Sequence, residues 1–338
     1  MSEKGNAKSR KSFLVIGCGS IGNRHLANLK TIGVSNLGVF DVNRSRCEKI
    51  REKYKIAVFF DLDEALSENF DVALICSPTS LHLTHALLAA NAGCHLFIEK
   101  PVSHELDGLT HLLNLIRKKK LISLVGCNLR FHPGMIKIHS LIEKKEIGRI
   151  LTARAQFGQY LPDWHPWEDY RNSYSAQNTL GGGVILDRIH EIDYMRWLFG
   201  GVSEVTAMAG HISDLEIDTE DVAEIILRFS NGAFGSLHLD YIRRTYDASL
   251  EILGDKGIIK WNYQNHSIEW FIADKSRWNS IKWECFDGNQ MYVDEMKHFL
   301  RVLDGKEVTT LSADDAAEDL KIAIAVKDAA KNQIVIRI

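Results

Sequence analysis

The strongest constraint on how this chain can fold is the run Gly17-Cys18-Gly19-Ser20-Ile21-Gly22. Four apolar residues, Phe13 to Ile16, precede it and read as a buried strand, and apolar spacing of three and four from Ile21 to Ile32 predicts a helix behind it. A strand that turns at once into a helix needs glycines: one for the turn, one for close approach of a ligand to backbone, one for helix-on-strand packing. The helix N-terminus then presents unsatisfied N–H groups to negative charge. Strand, glycines and helix in register predict a dinucleotide pyrophosphate site at Gly17, Gly19, Ser20, Ile21 and Gly22. Nineteen residues beyond Gly22, Asp41 stands at the end of the next strand-like run, where a carboxylate would accept the adenosine ribose hydroxyls. Its charge would repel a 2′-phosphate, so NAD is expected before NADP. Arg44 could turn toward a phosphate and weakens that preference.

From Ser12 to about Gly126, β-rich runs alternate with amphipathic ones, the order of βαβ units on a parallel sheet. Strands are expected at Phe13 to Ile16, Asn36 to Phe40, Val72 to Cys76, His95 to Ile98 and Ile122 to Val125, and helices at Ser45 to Tyr54, Leu81 to Ala92 and Glu105 to Lys119. A helix from Pro133 to Lys144 leads out of this domain. From Arg149 the pattern becomes antiparallel, with two alternating runs, Asp221 to Phe229 and Ala233 to Tyr241, joined at Asn231-Gly232. Further runs at Ser203 to His211, Ala248 to Leu253, Ile258 to Tyr263, Ile268 to Ile272 and Ile281 to Phe286 suggest one broad sheet, preceded by a helix from Gly183 to Phe199. Helical spacing returns at Gln290 to Leu303 and Ala313 to Ala330, and these last helices are expected to pack back against the first domain. The expected fold is α/β: a doubly wound Rossmann domain, then an α/β domain with a large, mainly antiparallel open sheet. The expected bounds are a disordered tail at 1–11, a dinucleotide-binding domain at 12–127, a substrate-binding and oligomerisation domain at 128–310, and a C-terminal helix at 311–338 packing back on the first domain.

Two more strand ends bear on chemistry, because ligands of open α/β sheets lie beyond the carboxyl ends of the strands. One is Cys76-Ser77-Pro78-Thr79 with His82, the other Glu99-Lys100-Pro101. Each could also be a plain strand-to-helix connection capped by Ser80 or Ser103. Pro101 biases Lys100 to extended backbone and aims it into the crevice. Ser77, Pro78, Thr79, His82, Glu99 and Lys100 therefore join the cofactor-site candidates.

These stretches, GCGSIGNRH at 17–25 and SPTSLHLTHALLAANAGCHLFIEKPVS at 77–103, with VGCNLRFHP at 125–133 and GGGVILDRIHEIDYMRWLFG at 181–200, resemble the Gfo/Idh/MocA family of glucose-fructose oxidoreductase and inositol dehydrogenase. The resemblance implies NAD(P)-dependent hydride transfer on a secondary alcohol or ketone of a sugar, cyclitol, sugar acid or nucleotide sugar. It also implies a catalytic Lys100 and an open C-terminal sheet used for oligomerisation. Within the fourth stretch, one continuous helix would place Ile185, Ile189, Ile192 and Met195 on one stripe and Asp187, His190, Glu191 and Tyr194 on another. The family commonly spaces its aspartate four residues before its histidine, whereas Asp187 and His190 are three apart. His190 keeps the family register and is favoured as the group facing the substrate carbon. The expected assignment is His190 as proton acceptor and donor, Lys100 orienting the hydroxyl and supporting alkoxide charge, and Asp187 fixing the geometry; the roles of Lys100 and His190 could be exchanged.

Between Gln159 and Gly183 lies a period-free segment rich in Tyr160, Trp164, Trp167, Tyr170 and Tyr174. Its aromatic faces suit a sugar ring, and Arg171 could hold a phosphate or carboxylate; a subunit contact or tucked-down loop fits equally. Asn128 and Arg130 are further substrate candidates, the ordinary alternative for Arg130 being an interdomain salt bridge. No metal is expected, for no third ligand accompanies Asp187 and His190. Two rival readings stand beside the dehydrogenase: a lyase or glycosidase using NAD by transient oxidation, and a non-catalytic dinucleotide sensor, against which the joint presence of Lys100 and His190 argues.

The 41 Lys and Arg against 44 Asp and Glu give no basic footprint for nucleic acid or an anionic membrane, so a small carbohydrate-like molecule is the expected partner. Six scattered cysteines without a C-x-x-C pair, and no signal-like h-region, point to a reducing, cytoplasmic setting. A homo-oligomer, dimer or tetramer, is expected from the apolar alternation of Ala223, Ile225, Leu227 and Phe229.

Overall fold

The computed structural model describes residues 11–338; the expected tail lies, but for Lys11, outside them. The described residues divide into two compact units, 11–128 with Gly288–Ala317, and Leu129–Asp287 with Glu318–Ile338.

In the first unit, β1 (Phe13–Ile16), α1 (Ser20–Thr31), β2 (Leu37–Phe40), α2 (Arg44–Tyr54), β3 (Ala57–Phe59), α3 (Leu62–Ser67), β4 (Val72–Ile75), α4 (His82–Asn91), β5 (His95–Glu99), α5 (Leu109–Lys119) and β6 (Ser123–Gly126) follow in turn. The strands pair in parallel in the order β3-β2-β1-β4-β5-β6, the doubly wound arrangement. Strands β1, β2 and β4 are buried along their whole length, as sheets covered on both faces require. Neither expected serine cap forms: α4 starts after Leu81 and α5 after Gly108, whose φ of 73° suits glycine, with no side-chain cap at either.

The second unit holds α6 (Pro133–Glu143), β7 (Ile150–Gly158), α7 (Val184–Asp187), α8 (Ile189–Phe199), β8 (Val202–Gly210), β9 (Val222–Phe229), β10 (Phe234–Asp240), β11 (Asp247–Gly254), β12 (Gly257–Asn262), β13 (Ser267–Ile272) and β14 (Arg277–Lys282). Then come α9 (Asn289–Leu303), α10 (Ala313–Asn332) and β15 (Ile336–Arg337). Nine strands form one sheet in the order β14-β13-β12-β11-β7-β10-β9-β8-β15, antiparallel throughout except between β7 and β10.

Four expectations need correction. Strand β7, unread in the sequence, lies at the middle of this sheet; its inward residues include Ala153 and Ala155, which carry little β signal. The last hairpin strand is Arg277–Lys282 rather than 281–286, an edge strand of mostly exposed residues without apolar alternation. The helix expected from Gly183 to Phe199 breaks at Arg188 (φ −99°, ψ 32°). Finally, α9, counted within the 128–310 bounds although expected to pack back on the first domain, belongs to the first unit, where Met296, Phe299 and Leu303 join the core of Phe13, Val15, Leu26 and Leu29. The chain beyond Ala317 belongs instead to the second unit, and β15 pairs with β8 there. Among the described residues no helix is long and apolar enough to cross a membrane.

Candidate active site

The glycine turn is built as its chemistry requires. Gly17 has φ +95°, and a Cβ there would lie 2.7 Å from the Cys76 carbonyl oxygen. A Cβ on Gly22 would lie 1.9 Å from the Gly17 carbonyl oxygen, so α1 seats directly on the turn. Gly19, at the N-cap of α1, meets nothing within 4 Å, and no side chain caps the helix. Its N–H groups are left for an anion from outside the fold. Ser20 is exposed and Ile21 half-buried at this opening.

Asp41, just past β2, is 5% exposed and tied into the turn: Oδ2 accepts from the Cys18 N–H at 2.7 Å and Oδ1 from the Asn43 N–H at 2.8 Å. Its arginine partner is Arg46 rather than Arg44, with Nη1 donating to Oδ2 at 3.0 Å. The Arg44 guanidinium instead covers the Phe60 ring at 4.6 Å. Asn43 caps α2 by accepting the Arg46 N–H, which returns the first helical turn to the strand end. That Asn43-to-Arg46 cap was the available sequence signal for Arg46. Burial and the neighbouring Asp41 carboxylate push the Cys18 thiol well above its usual range, so it stays protonated.

At the ends of β4 and β5 two of the cofactor-site candidates are hydrogen-bonded within the fold. His82, 2% exposed, lies with Nδ1 2.7 Å from the Pro101 carbonyl oxygen and Nε2 2.9 Å from that of Ser77, joining the two strand ends. Burial lowers its pKa, against the opposing pull of both carbonyls. Glu99 is buried against His25, Oε1 to Nε2 at 2.6 Å, and its Oε2 accepts the Lys100 N–H at 3.3 Å. Lys100 is half-buried, follows β5 directly, and precedes a cis peptide to Pro101. Pro78 is exposed and Thr79 buried in the turn after β4, where the Ser77 hydroxyl bonds His85 Nδ1 at 2.9 Å. Asn128 is buried at the close of this unit.

In the second unit, Gly183 (φ +103°) delivers the chain into α7, where a Cβ would meet Glu220 Oε1 at 2.4 Å. Asp187, 1% exposed, is enclosed by hydroxyls: Ser175 Oγ donates to Oδ2 at 2.7 Å, Tyr241 Oη to Oδ2 at 3.0 Å, and Tyr174 Oη to Oδ1. Burial, then the Asp187 charge, raises the Tyr241 pKa far above the usual phenol. This cage escaped the sequence reading because Tyr241 lies 54 residues away. Past the break, His190 stands in the first turn of α8, 7% exposed. The two-faced helix is not observed. Ile189 to Met195 are all buried, and Glu191 pairs with Arg188 at 2.9 Å.

Both arginines read as substrate ligands are committed to carboxylates. Arg130 donates to Asp193 through Nε (3.1 and 3.0 Å) and Nη2 (2.6 Å), both residues buried and both within the second unit rather than across an interdomain bridge. Arg171 is clasped by Asp169 (2.8–3.0 Å) and by Glu216 at 2.6 Å. The aromatic segment is a chain of 3₁₀ turns, anchored by Asn178 N–H to Asp218 at 2.6 Å and Thr219 Oγ1 to the Ser175 carbonyl at 3.1 Å. Trp164 is half-buried, edge-on to Tyr241 (5.4 Å) and Phe157 (6.0 Å). Trp167 stays 71% exposed. Among the described residues no cluster of three His, Cys, Asp or Glu is arranged to hold a metal.

Residues 11–127 match the model of an oxidoreductase family with an NAD-binding Rossmann fold, and residues 135–260 match the GFO/IDH/MocA C-terminal domain. Over 93% of its length the chain is 30% identical to 94% of myo-inositol 2-dehydrogenase of Thermotoga maritima. The chain belongs to the Gfo/Idh/MocA oxidoreductase family. Scyllo-inositol 2-dehydrogenase (NAD(+)) of Bacillus subtilis is 26% identical, covering 94% of this chain and 93% of its own. Among solved structures, levoglucosan dehydrogenase in complex with NADH and levoglucosan superposes with a TM-score of 0.87 at 21% identity, over 97% of this chain and 98% of the other, a likeness of fold. Both units of this Gfo/Idh/MocA chain are thus accounted for, the first as the family's NAD-binding Rossmann fold.

Proposed function

We propose that this chain is an NAD-dependent dehydrogenase acting on a ring hydroxyl of an uncharged cyclitol or sugar. The observation that carries the reading is the open backbone at Gly19 beside the anchored Asp41, which fits a pyrophosphate and an adenosine ribose. A bound nicotinamide would supply the hydride acceptor for the alcohol carbon. Gly17 to Gly22 would hold the pyrophosphate and Asp41 the ribose. Lys100, beyond β5, holds the reacting hydroxyl and steadies the charge on its oxygen. His190 takes the hydroxyl proton and returns it in the reverse direction. Asp187, enclosed by three hydroxyls, acts as a positioning residue for the start of α8. An uncharged substrate is favoured because Arg130 and Arg171 are already neutralised. Two relatives that align along nearly their whole length carry inositol dehydrogenase names.

The test is NADH formation with myo-inositol, scyllo-inositol, levoglucosan and glucose 6-phosphate. Turnover of a neutral ring with stoichiometric NADH supports the reading, and preference for the phosphorylated sugar over its neutral counterpart would overturn the substrate class. Product without net NADH would move the assignment to transient oxidation. A cytoplasmic setting fits the five buried thiols. A dimer or tetramer is proposed through the outer face of the nine-stranded sheet, which exposes Ile226, Phe234 and Trp278. The residues first read as the association surface, Ala223, Ile225, Leu227 and Phe229, are at most 1% exposed and lie on the face packed within the chain.

A further inference from the structure

The join between α7 and α8 is filled by an arginine whose donors the fold only partly uses. Arg188 donates to Glu191 through Nε, to Oε2 at 3.3 Å, and through Nη2, to Oε1 at 2.9 Å. One face of its guanidinium lies over the buried Phe157 ring, 3.4 Å from the centroid. A guanidinium carries five N–H donors in one plane. Two are spent on Glu191, and among the described residues nothing accepts from Nη1. Burial works against the charge, but Glu191, then Tyr246 and Asp187, outweigh it and raise the pKa, so the fork stays charged. Its plane is thus fixed on a ring and along one edge, and the other edge keeps three donors that are costly to leave without acceptors. The side chain is 14% exposed, so that edge can be reached from outside. Tyr246, edge-on to the same Phe157 at 5.7 Å and 37% exposed, borders it.

Resting on the dehydrogenase reading above, we infer that Arg188 is a specificity-determining residue, whose free edge takes two neighbouring hydroxyls of the substrate ring two residues from His190. Parallel N–H groups select oxygens that lie side by side, as vicinal hydroxyls do. Glu191, paired to the same guanidinium and itself buried, cancels the charge that would otherwise draw a carboxylate or phosphate. The edge therefore recognises a neutral diol. The sequence offers Arg130 and Arg171 for the substrate, and Arg188 takes that part instead.

The experiment measures initial rates of the full chain with myo-inositol, scyllo-inositol and levoglucosan, and with a deoxy counterpart lacking the hydroxyl beside the oxidised carbon. NADH affinity is followed by calorimetry alongside. Arg188→Lys keeps a cation for Glu191 and loses the planar fork. It is expected to lower kcat/KM for the intact ring by about tenfold to a hundredfold, chiefly through KM, and to leave NADH affinity within about twofold. The deoxy ring should already be weakened with the wild type and lose under about threefold more with the variant. Glu191→Gln gives an independent arm: it leaves Arg188 an acceptor and uncovers its charge, so inhibition by glucuronate should tighten by about tenfold relative to inhibition by glucose. The inference is overturned if Arg188→Lys leaves KM unchanged, if it weakens the intact and deoxy rings by the same factor, or if Glu191→Gln leaves glucuronate no tighter. Should the wild type oxidise none of the neutral rings, the dehydrogenase reading falls first, and this inference with it.

Discussion

Replacing Arg130 with Met separates a structural role from a binding one. Arg130 and Asp193 form a two-pronged ion pair with side chains 6% and 1% exposed, and a second pair, Arg196 Nε to Asp319 Oδ1 at 2.5 Å, couples to it electrostatically. Below about pH 8 Asp319 holds a proton, so the buried charges are Arg130, Arg196 and the Asp193 carboxylate. Without Arg130, the Asp193 carboxylate loses its direct ion-pair partner. Breaking a buried pair from one side costs about 3–5 kcal/mol, because the abandoned charge keeps its desolvation penalty. For a unit of this size that corresponds to a fall in Tm of roughly 6–20 °C. The double variant Arg130→Met, Asp193→Leu removes both desolvated charges and should recover most of the loss. Urea unfolding of the wild type, both single variants and the double variant closes the cycle. The reasoning is refuted if Arg130→Met costs under about 1 kcal/mol while raising the substrate KM at least tenfold, the signature of a ligand-binding arginine.

The same network titrates. Burial, then the Asp193 charge, lifts the Asp319 pKa to about 8. Between its ordinary range near 3.8 and 8 the folded chain therefore holds a proton the unfolded chain has lost, and stability should fall as pH rises across that window. Asp319→Asn should flatten that slope in denaturant midpoints measured from pH 5 to 9. Lys100→Met is expected to keep NADH affinity within a few-fold and to cut turnover by roughly two to four orders of magnitude. His190→Asn should cost a comparable factor and remove the acid limb of the pH–rate profile, because only neutral imidazole accepts a proton; near wild-type rates in both variants would dismiss the assignment. Light scattering should give a dimer or tetramer that Phe234→Glu dissociates, and a wild-type monomer at all concentrations would remove the proposed interface.

The dinucleotide half of the fold was legible because its signals are local. Strand, glycines, helix and acid fall within Phe13 to Asp41, and the structure pairs these strands in parallel. What the sequence hid were partners far along the chain. Arg171 looks like a free anion ligand until Glu216, 45 residues on, is seen against it, and Arg130 until Asp193 is, 63 residues on. Helix α9 is amphipathic, but its spacing does not say which core its apolar face joins. The strand β7 was missed for another reason: alanines suffice at the crowded middle of a sheet, where neighbours fill the space. Apolar alternation on β9 was read correctly as a buried face and assigned the wrong cover, since alternation reports burial and not what does the burying.

The three-residue step from Asp187 to His190 has its physical counterpart in the break at Arg188. Along an uninterrupted helix, residues three apart share a face and would compete for one direction. With the break, Asp187 ends α7 and His190 begins α8. Arg188 fills the join, paired to Glu191 and lying over the Phe157 ring at 3.4 Å. Asp187 then accepts from Tyr174 and Ser175 of the aromatic segment and from Tyr241 just past β10, fastening segment, helix and sheet at one carboxylate. Trp164 stands edge-on to that same Tyr241, so one ring of the segment packs on a tyrosine that Asp187 holds. A carboxylate with three hydroxyl donors is a poor base, for each bond stabilises its charged form. In the proposed mechanism this leaves the proton to His190, or to Lys100 if the two exchange roles, and gives Asp187 the positioning of the aromatic segment.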